Sequence, residues 1–241
     1  MRWHIIEGEA GCEYAVTHGC TAVVVDALRA SATAAMLLES GATTILAVRD
    51  VADALAAKVD QPDALLYGER GGIPPEGFDY GNSPRDAWHA DGKAVIFTTT
   101  TGAGRLVSAI GAPAILMGTT VNASAVAQIA SGLGHDVVLI PAGLTDDPDF
   151  DAQEDRCAAV AIAMKSGGEI GEGLELFEDW RERIDNHGFE KLFAGSPHAA
   201  KLRAIGMEED VAYCAQVDLT NAVPMVQDVT ALGVVMTNAT E

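Results

Sequence analysis

Short apolar runs that alternate with Ala-rich stretches restrict the fold of this chain more than any other feature. TAVVVD (21–26) and TTILAV (43–48) have the length and β-branched content of strands. Each is followed by a helical stretch, ASATAAMLLESG (30–41) and DVADALAAKV (50–59), and Asp50 is expected to cap the second helix. Strands and helices alternating at this spacing build βαβ units, so the pattern predicts an α/β fold with a mostly parallel sheet flanked by helices.

The same alternation continues through the middle of the chain. Further strands are predicted at ALLYG (64–68), AVIFTT (94–99), AILMG (114–118) and DVVLIPAG (136–143). Helices are predicted at VNASAVAQIASG (121–132) and at DAQEDRCAAVAIAMKSG (151–167), which is expected to be the longest. A hydrophobic content of 49% with only 5% aromatic residues favours a core of Ala, Val, Leu and Ile. Such a core suits strands that are covered on both faces.

Beyond residue 170 the pattern changes. Polar helices are predicted around LELFEDWRERI (174–184), GFEKLFAG (188–195) and SPHAAKLRAIG (196–206), and strands that could pair antiparallel are predicted in 213–237. A chain of 241 residues can bury a sizeable core without disulfides. We expect a single unit of residues 1–241, with two α/β lobes of about 1–120 and 121–241 as a further subdivision.

A net charge of −20 and an isoelectric point near 4.4 argue against nucleic acid or an anionic membrane as a partner, because an acidic field repels polyanions. A small anionic substrate stays compatible, since clustered Arg side chains can invert the field within one cleft. The acidic segments 145–155 and 206–211 are interpreted as solvated surface. Adaptation to a salty cytoplasm and an ordinary acidic protein both explain this composition.

Cysteine usage and the short apolar runs indicate a cytoplasmic protein. Cys12, Cys20, Cys157 and Cys214 are scattered without a zinc-type spacing, so reduced and mostly buried thiols are expected. No apolar run is long enough to cross a bilayer, and the first residues lack the apolar region of a signal peptide. A homodimer is a reasonable expectation for a chain of this size.

Polar side chains follow several of the predicted strands. Asp26 and Arg29 follow the first strong strand, Glu69 and Arg70 follow the next but one, and the run Thr98–Gly104 follows AVIF. Ligands of parallel α/β sheets bind at the carboxyl ends of strands, where loops collect polar groups. These residues are therefore the candidates for a functional site.

Each candidate has a chemical and a structural interpretation. The hydroxyls of Thr99, Thr100 and Thr101, with Gly102 at a helix start, could bind an oxyanion or could simply end a strand and cap a helix. Arg29 and Arg70 could clamp a phosphate or sulfonate, or could pair with a nearby acid. Asp26 and Glu69 are hard oxygen ligands suited to Mg²⁺, whereas Asp26 could instead act as nucleophile or base, or cap a helix.

Three further segments carry polar residues of uncertain role. EGFDYGNSP (76–84) contains Asp79, a candidate metal ligand, and Asn82, a candidate substrate-binding residue, whereas a tight turn before a helix explains the same pattern. The pair Glu154–Asp155 could cap the long helix or reach a metal, and surface solvation is the favoured interpretation. His198 is most simply a residue on a helix face, because no pattern of a catalytic triad surrounds it.

Taken together, these segments resemble the 2-phosphosulfolactate phosphatase family. The matching pieces, in order, are VVVDALRASAT, GERGG, GFDYGNSP, TTTTGAGRL, VNASAVA, Glu154–Asp155 and DVAYCAQVDLTNAVP. The resemblance implies a family-specific α/β fold and a Mg²⁺-dependent hydrolase that releases phosphate from 2-phospho-3-sulfolactate, a step of coenzyme M biosynthesis. It further implies that Asp26 and Glu69 lie on the metal side, and that Arg29, Arg70 and the turn 99–102 lie on the anion side.

This chain departs from the family pattern at several positions. Thr101 stands where Asn is usual before the glycine, Pro141 stands where Cys is common, and segment 143–155 is more acidic than usual. These departures put the substrate in question more than the reaction. A non-catalytic anion-binding or regulatory module, and a lyase or isomerase acting on a small phosphorylated or sulfonated acid, are the alternatives.

Overall fold

The computed structural model describes residues 1–145, 147 and 149–239. The strands are β1 (Arg2–Ile5), β2 (Thr21–Val25), β3 (Thr44–Val48), β4 (Leu65–Gly68), β5 (Ala94–Thr98), β6 (Ile115–Met117), β7 (Val137–Pro141), β8 (Glu169–Ile170), β9 (Pro224–Val229) and β10 (Gly233–Asn238). The α-helices are α1 (Gly8–His18), α2 (Ala30–Glu39), α3 (Val51–Asp60), α4 (Gly102–Ser108), α5 (Ala123–Gly132), α6 (Gln153–Ser166), α7 (Leu174–His187), α8 (Phe189–Ala194), α9 (Pro197–Ala204) and α10 (Glu208–Cys214). Short 3₁₀ helices span Pro84–Ala90 and Thr120–Asn122.

One mixed sheet carries these strands in the order β4-β5-β3-β10-β9-β6-β2-β7-β1-β8. Strands β4, β5 and β3 are parallel to one another, and so are β6, β2, β7, β1 and β8. The hairpin β9–β10 lies between these two groups and pairs antiparallel with both. The three successive pairings β3–β10, β10–β9 and β9–β6 are all antiparallel. The two parallel groups of strands therefore run in opposite directions.

The predicted α/β class with a mostly parallel sheet flanked by helices is confirmed. The predicted strands from β2 to β7 all form, and the C-terminal hairpin pairs antiparallel as expected. The sheet contains strands from both halves of the chain, because β2 pairs with β7 and β6 pairs with β9. The subdivision near residue 120 stays a prediction.

Some local expectations were wrong. Strands β1 and β8 and the helices α1 and α10 were not predicted, because their apolar patterns are short. Helix α6 does have the greatest length among the described helices, but α7 equals it at 14 residues. Asp50 does precede α3, but its side chain makes no capping hydrogen bond. Pro148 and Asp146 of the acidic segment lie outside the described residues.

The core consists of three apolar layers. Val23 and Val25 of β2 face a layer shared with α5, α6 and the helices α7–α10, whereas Val24 faces a second layer shared with α1, α2 and α4. The second layer also receives Phe97 of β5, so the layer that α2 and α4 cover extends over both parallel groups. A third layer joins the outer face of β3, β4 and β5 to α3. Strand β2 is thus buried on both faces, as its continuous apolar run predicts.

The cysteine prediction is confirmed, because all four thiols are buried and unpaired. Burial raises the pKa of the Cys12 thiol to about 11. None of the helices within the described residues is long and apolar enough to cross a membrane.

Candidate active site

A cavity of about 500 Å³ opens where the two parallel groups of strands meet α9. Its lining comes from the loops that follow β2, β4, β5 and β7, and from α9 and the residue after it. Among the predicted site residues, the cavity is lined by Asp26, Arg29, Glu69, Asn82, Thr100 and Thr101. Its volume lies in the range of sites that bind small molecules.

Asp26 follows the end of β2 and is partly exposed to the cavity. The backbone N–H of Ala30 donates to Asp26 Oδ1 at 3.1 Å, so this carboxylate also satisfies a donor in the first turn of α2. Removal from bulk water, together with the negative charges of Glu69 and Glu154, raises the pKa of Asp26 to about 6 against the opposing effects of His198 and of the hydrogen bond from Ala30 N–H. Asp26 is therefore at the centre of a group of interacting charges.

Glu69 joins two loops at the edge of the cavity. The N–H of Thr100 donates to its Oε1 at 2.7 Å, and the N–H of Gly72 donates to its Oε2 at 2.8 Å. The side chain is only 8% exposed. Both oxygens keep a second lone pair, so Glu69 holds the Thr/Gly turn beside the Gly-rich loop and still presents acceptors to the cavity.

The threonine run has mainly structural contacts in this chain. Thr99 Oγ1 accepts a hydrogen bond from Ala103 N–H at 3.1 Å and so satisfies a donor in the first turn of α4. Thr101 Oγ1 accepts from Thr145 N–H at 3.4 Å and so ties the turn to the loop after β7. Thr100 and Thr101 line the cavity, whereas Thr99 and Gly102 are not among its lining residues.

Gly102 is required by close approach to Asp26. A Cβ at this position would lie 2.7 Å from Asp26 Oδ2 and 2.7 Å from Ala30 Cβ, both closer than real Cβ contacts. The absence of a side chain therefore lets the start of α4 pack against the end of β2, which belongs to the other parallel group.

We expect Gly102→Ala to lower the free energy of unfolding by about 1–3 kcal/mol, because the added methyl group overpacks this contact. Denaturant unfolding would measure the change. Gly104→Ala in the same helix is the matched control, since a Cβ there meets no atom within 4 Å and a helical Gly→Ala change is favourable. Equal stability of the two variants would contradict the requirement for glycine at 102.

The two predicted arginine clamps are engaged in contacts with the protein. Arg29 Nη1 lies 2.5 Å from Asp210 Oδ2 with both side chains 2% exposed, and its Nη2 donates to Gly72 O at 2.8 Å. Arg70 does not line the cavity, because its guanidinium donates to Glu69 O, Arg49 O and Thr98 Oγ1. Asp210 is buried, so the expectation that segment 206–211 is entirely solvated was wrong.

Asp79 and Asn82 share a loop but have different environments. Asp79 lies outside the cavity lining, where its Oδ2 accepts from Leu66 N–H at 2.8 Å and lies 3.8 Å from Lys58 Nζ. Asn82 lines the cavity at 3% exposure, and its Oδ1 is buried without a hydrogen-bond partner among the described residues. An unsatisfied buried acceptor of this kind suits a cation or a donor supplied by a ligand.

The pair Glu154–Asp155 is buried, so the interpretation as solvated surface was wrong. Glu154 is 0% and Asp155 is 2% exposed. Asp155 accepts from Ala27 N–H at 2.8 Å and from Gly143 N–H at 3.1 Å, which joins the loops after β2 and β7. Burial, together with the charges of Glu154 and Asp26, raises the pKa of Asp155 well above its usual range.

His198 and Lys201 are site residues that sequence reasoning missed. Both line the cavity from the same side of α9, three residues apart. His198 Nδ1 contacts Glu154 Oε1. The centroid of the Phe150 ring lies 4.4 Å from the centroid of the His198 ring and 4.2 Å from Lys201 Nζ. The only local signal was the spacing of two basic side chains after a Ser-Pro helix start.

The fold and the cavity together define an α/β protein with a small cleft, in which Asp26 and Glu69 lie on one side and His198 and Lys201 of α9 lie on the other among apolar side chains. Comparison with known proteins makes this class specific. The family model for 2-phosphosulpholactate phosphatase matches residues 9–229. This chain therefore belongs to the 2-phosphosulfolactate phosphatase family, which confirms the resemblance seen in the sequence.

Individual relatives agree with this assignment. A probable 2-phosphosulfolactate phosphatase of Carboxydothermus hydrogenoformans is 36% identical over 202 residues, which cover 84% of each chain. Another from Pseudothermotoga lettingae is 33% identical over 86% of this chain and 89% of its own. A third from Deinococcus radiodurans is 33% identical over 84% of this chain and 86% of its own.

Proposed function

We propose that this protein is a Mg²⁺-dependent phosphatase that hydrolyses the phosphate monoester of a small anionic acid, 2-phospho-3-sulfolactate being the preferred substrate. The observation that carries the proposal is the convergence of Asp26, Glu69 and the unsatisfied Asn82 Oδ1 on one cavity that also presents Lys201. Oxygen ligands beside a cation are the arrangement that phosphoryl transfer needs. The names of the relatives support the same reaction.

The oxygen atoms of the cavity fit a magnesium ion. Within the described residues, no group of three His, Cys, Asp or Glu side chains is arranged to hold a metal. Mg²⁺ does not require one, because it commonly binds one or two carboxylates and completes its shell with water and substrate phosphate. Asp26 and Glu69 would hold it with Asn82 Oδ1, while Asp79 lies outside the cavity lining. When bound, the ion would neutralise charge on the phosphoryl oxygens.

The chain's own groups then divide the remaining tasks. Asp26, at the cavity floor, would either attack phosphorus or orient the water that does. The turn that contains Thr100 and Thr101 would lie against one side of the phosphate. The hydrogen bond from Thr100 N–H to Glu69 holds this turn in place. Since the guanidinium of Arg29 is ion-paired with Asp210, the main role of Arg29 would be structural, as part of the cavity wall.

Lys201 would bind the second anionic group of the substrate. It lines the cavity, and none of the described carboxylates lies within ion-pair distance of its ammonium, which rests on the Phe150 ring. An ammonium so placed is a donor for a sulfonate or carboxylate without needing to break an existing pair.

We expect Lys201→Gln to raise the KM for 2-phospho-3-sulfolactate by about 10-fold, because a hydrogen bond between charged groups is lost. The KM for 2-phospholactate, which lacks the sulfonate, should change little. Steady-state phosphate release with both esters would measure this, with Lys191→Gln on α8 as the control for an exposed lysine. Equal increases in the KM for both esters would show that Lys201 does not bind the sulfonate.

A phosphatase screen of C3 phospho-acids, with and without Mg²⁺ and with EDTA, tests the proposed function. We expect phosphate release that EDTA abolishes and that added Mg²⁺ restores. Binding of the esters without turnover would indicate an anion-binding module instead. A product with rearranged carbon and no free phosphate would indicate a lyase or isomerase. Either result would contradict the proposal.

A further inference from the structure

We propose that His198, held in place by the buried carboxylate of Glu154, is the general acid that protonates the leaving alkoxide during phosphate ester hydrolysis. The inference rests on the proposed phosphatase activity and adds a catalytic residue, His198, and a positioning residue, Glu154. Neither the sequence pattern nor the family assignment points to this pair. It follows from three features of the site, which are the contact between the two side chains, the surroundings of the ring and the chemistry of the leaving group.

The contact with Glu154 determines which nitrogen of His198 is available. His198 Nδ1 contacts Glu154 Oε1, and Glu154 is 0% exposed while His198 is partly exposed to the cavity. With the Nδ1 proton donated to Glu154, Nε2 becomes the nitrogen that can serve a substrate. The same logic operates where a buried carboxylate orients a catalytic imidazole.

The carboxylate of Glu154 has few polar contacts besides His198. Its Oε2 is buried without a hydrogen-bond partner among the described residues, and its neighbour Asp155 is occupied by two backbone N–H groups. An ionised carboxylate buried in this way is costly unless a cation compensates it. The contact with His198 Nδ1 supplies a polar partner for this carboxylate, so the pair fixes the imidazole at the cavity wall.

The backbone fixes the position of the imidazole ring. Ser196 Oγ accepts from Ala199 N–H at 3.0 Å and Pro197 occupies the first turn, so the start of α9 is well defined. The Phe150 ring packs against the imidazole with centroids 4.4 Å apart. A positive ring in the first turn opposes the helix dipole, and the contact with Glu154 offsets this cost.

The chemistry of the substrate creates the need for such a group. When water attacks phosphorus, the new P–O bond forms while the bond from phosphorus to the ester oxygen breaks. The departing alkoxide is strongly basic and takes the Nε2 proton of His198, which gives the free alcohol. One proton of the attacking water stays on the phosphate and the other restores the imidazolium, so protons and electron pairs balance.

Leaving-group dependence tests the inference, because only a basic leaving group needs the proton. We expect His198→Gln to lower kcat/KM for the alkyl ester 2-phospholactate by about 100-fold or more. For p-nitrophenyl phosphate, whose leaving group departs without protonation, the loss should be far smaller. His187→Gln, at the exposed end of α7, is the control and should match the wild type on both esters.

Equal losses on the two esters, or no loss on either, would overturn the role of His198 as a general acid. Glu154→Gln should show the same contrast between esters at smaller amplitude, and a variant that matched the wild type on both would overturn the positioning role. Thermal unfolding of each variant separates these losses from misfolding, since a misfolded protein loses both activities together. Wild-type protein that released phosphate neither from these two esters nor from 2-phospho-3-sulfolactate would contradict the proposed function itself and the inference with it.

Discussion

Replacement of Asp26 by Asn is expected to lower Mg²⁺-dependent phosphate release by about 100-fold or more, because a preorganised charge at the reacting centre is lost. Asn keeps an oxygen that can accept the hydrogen bond of Ala30 N–H, so the start of α2 should remain intact. Phosphate release from 2-phospho-3-sulfolactate at saturating Mg²⁺ would measure the effect. Asp185→Asn on the exposed side of α7 is the matched control.

The stability of the Asp26→Asn variant should not fall with its activity. Burial and the neighbouring acids raise the pKa of Asp26 to about 6, so ionising this carboxylate at neutral pH is a cost to the folded state. Removing that charge should leave the free energy of unfolding unchanged or higher. Near-normal phosphate release by this variant would contradict the assignment of Asp26 to the reacting centre.

The second large effect concerns the buried pair of Arg29 and Asp210. We expect Asp210→Ala to lower the free energy of unfolding by about 3–5 kcal/mol, because it leaves the guanidinium buried without a counter-charge. Ser83 Oγ, which donates to Asp210 Oδ1 at 2.8 Å, would lose its acceptor as well. Urea unfolding monitored by circular dichroism would measure the change.

Glu209, the residue before Asp210 in α10, provides a control on the same helix. Glu209 pairs with Arg85 at 2.5 Å, but their side chains are 69% and 47% exposed. Glu209→Ala should therefore cost less than about 1 kcal/mol, as is usual for surface pairs. Similar costs for Glu209→Ala and Asp210→Ala would show that burial does not make the Arg29–Asp210 pair special.

Arg29 illustrates what local sequence can predict. Its place three residues after Asp26 correctly put both at the end of one strand, and both line the cavity. Its partner lies 181 residues away in α10, a short acidic helix that resembles solvated surface when read alone. Long-range pairing of this kind leaves no periodic signal in the sequence. Arg29 was expected to clamp an anion, but its main contact is the ion pair with Asp210.

Glu154 and His198 illustrate a second limit. Two adjacent acids at a helix start are usually exposed and interact favourably with the helix dipole. Here His198 of α9 contacts Glu154 across a separation of 44 residues, and Asp155 accepts hydrogen bonds from the loops after β2 and β7. The burial of an acidic pair depends on which element packs over it, and no pattern within α6 carries that information.

The sequence by itself determined most of the strands and helices, the buried β2 and the family, because local periodicity and ordered motifs depend on neighbouring residues. It also placed Asp26, Glu69 and the Thr/Gly turn at strand ends. Only the tertiary structure decided how these ends meet, since the hairpin β9–β10 inserts between two parallel groups and reverses their relative direction. The site forms because α2 and α4 pack against both parallel groups of strands and α9 closes one side of the cavity. Such contacts arise from packing between distant parts of the chain.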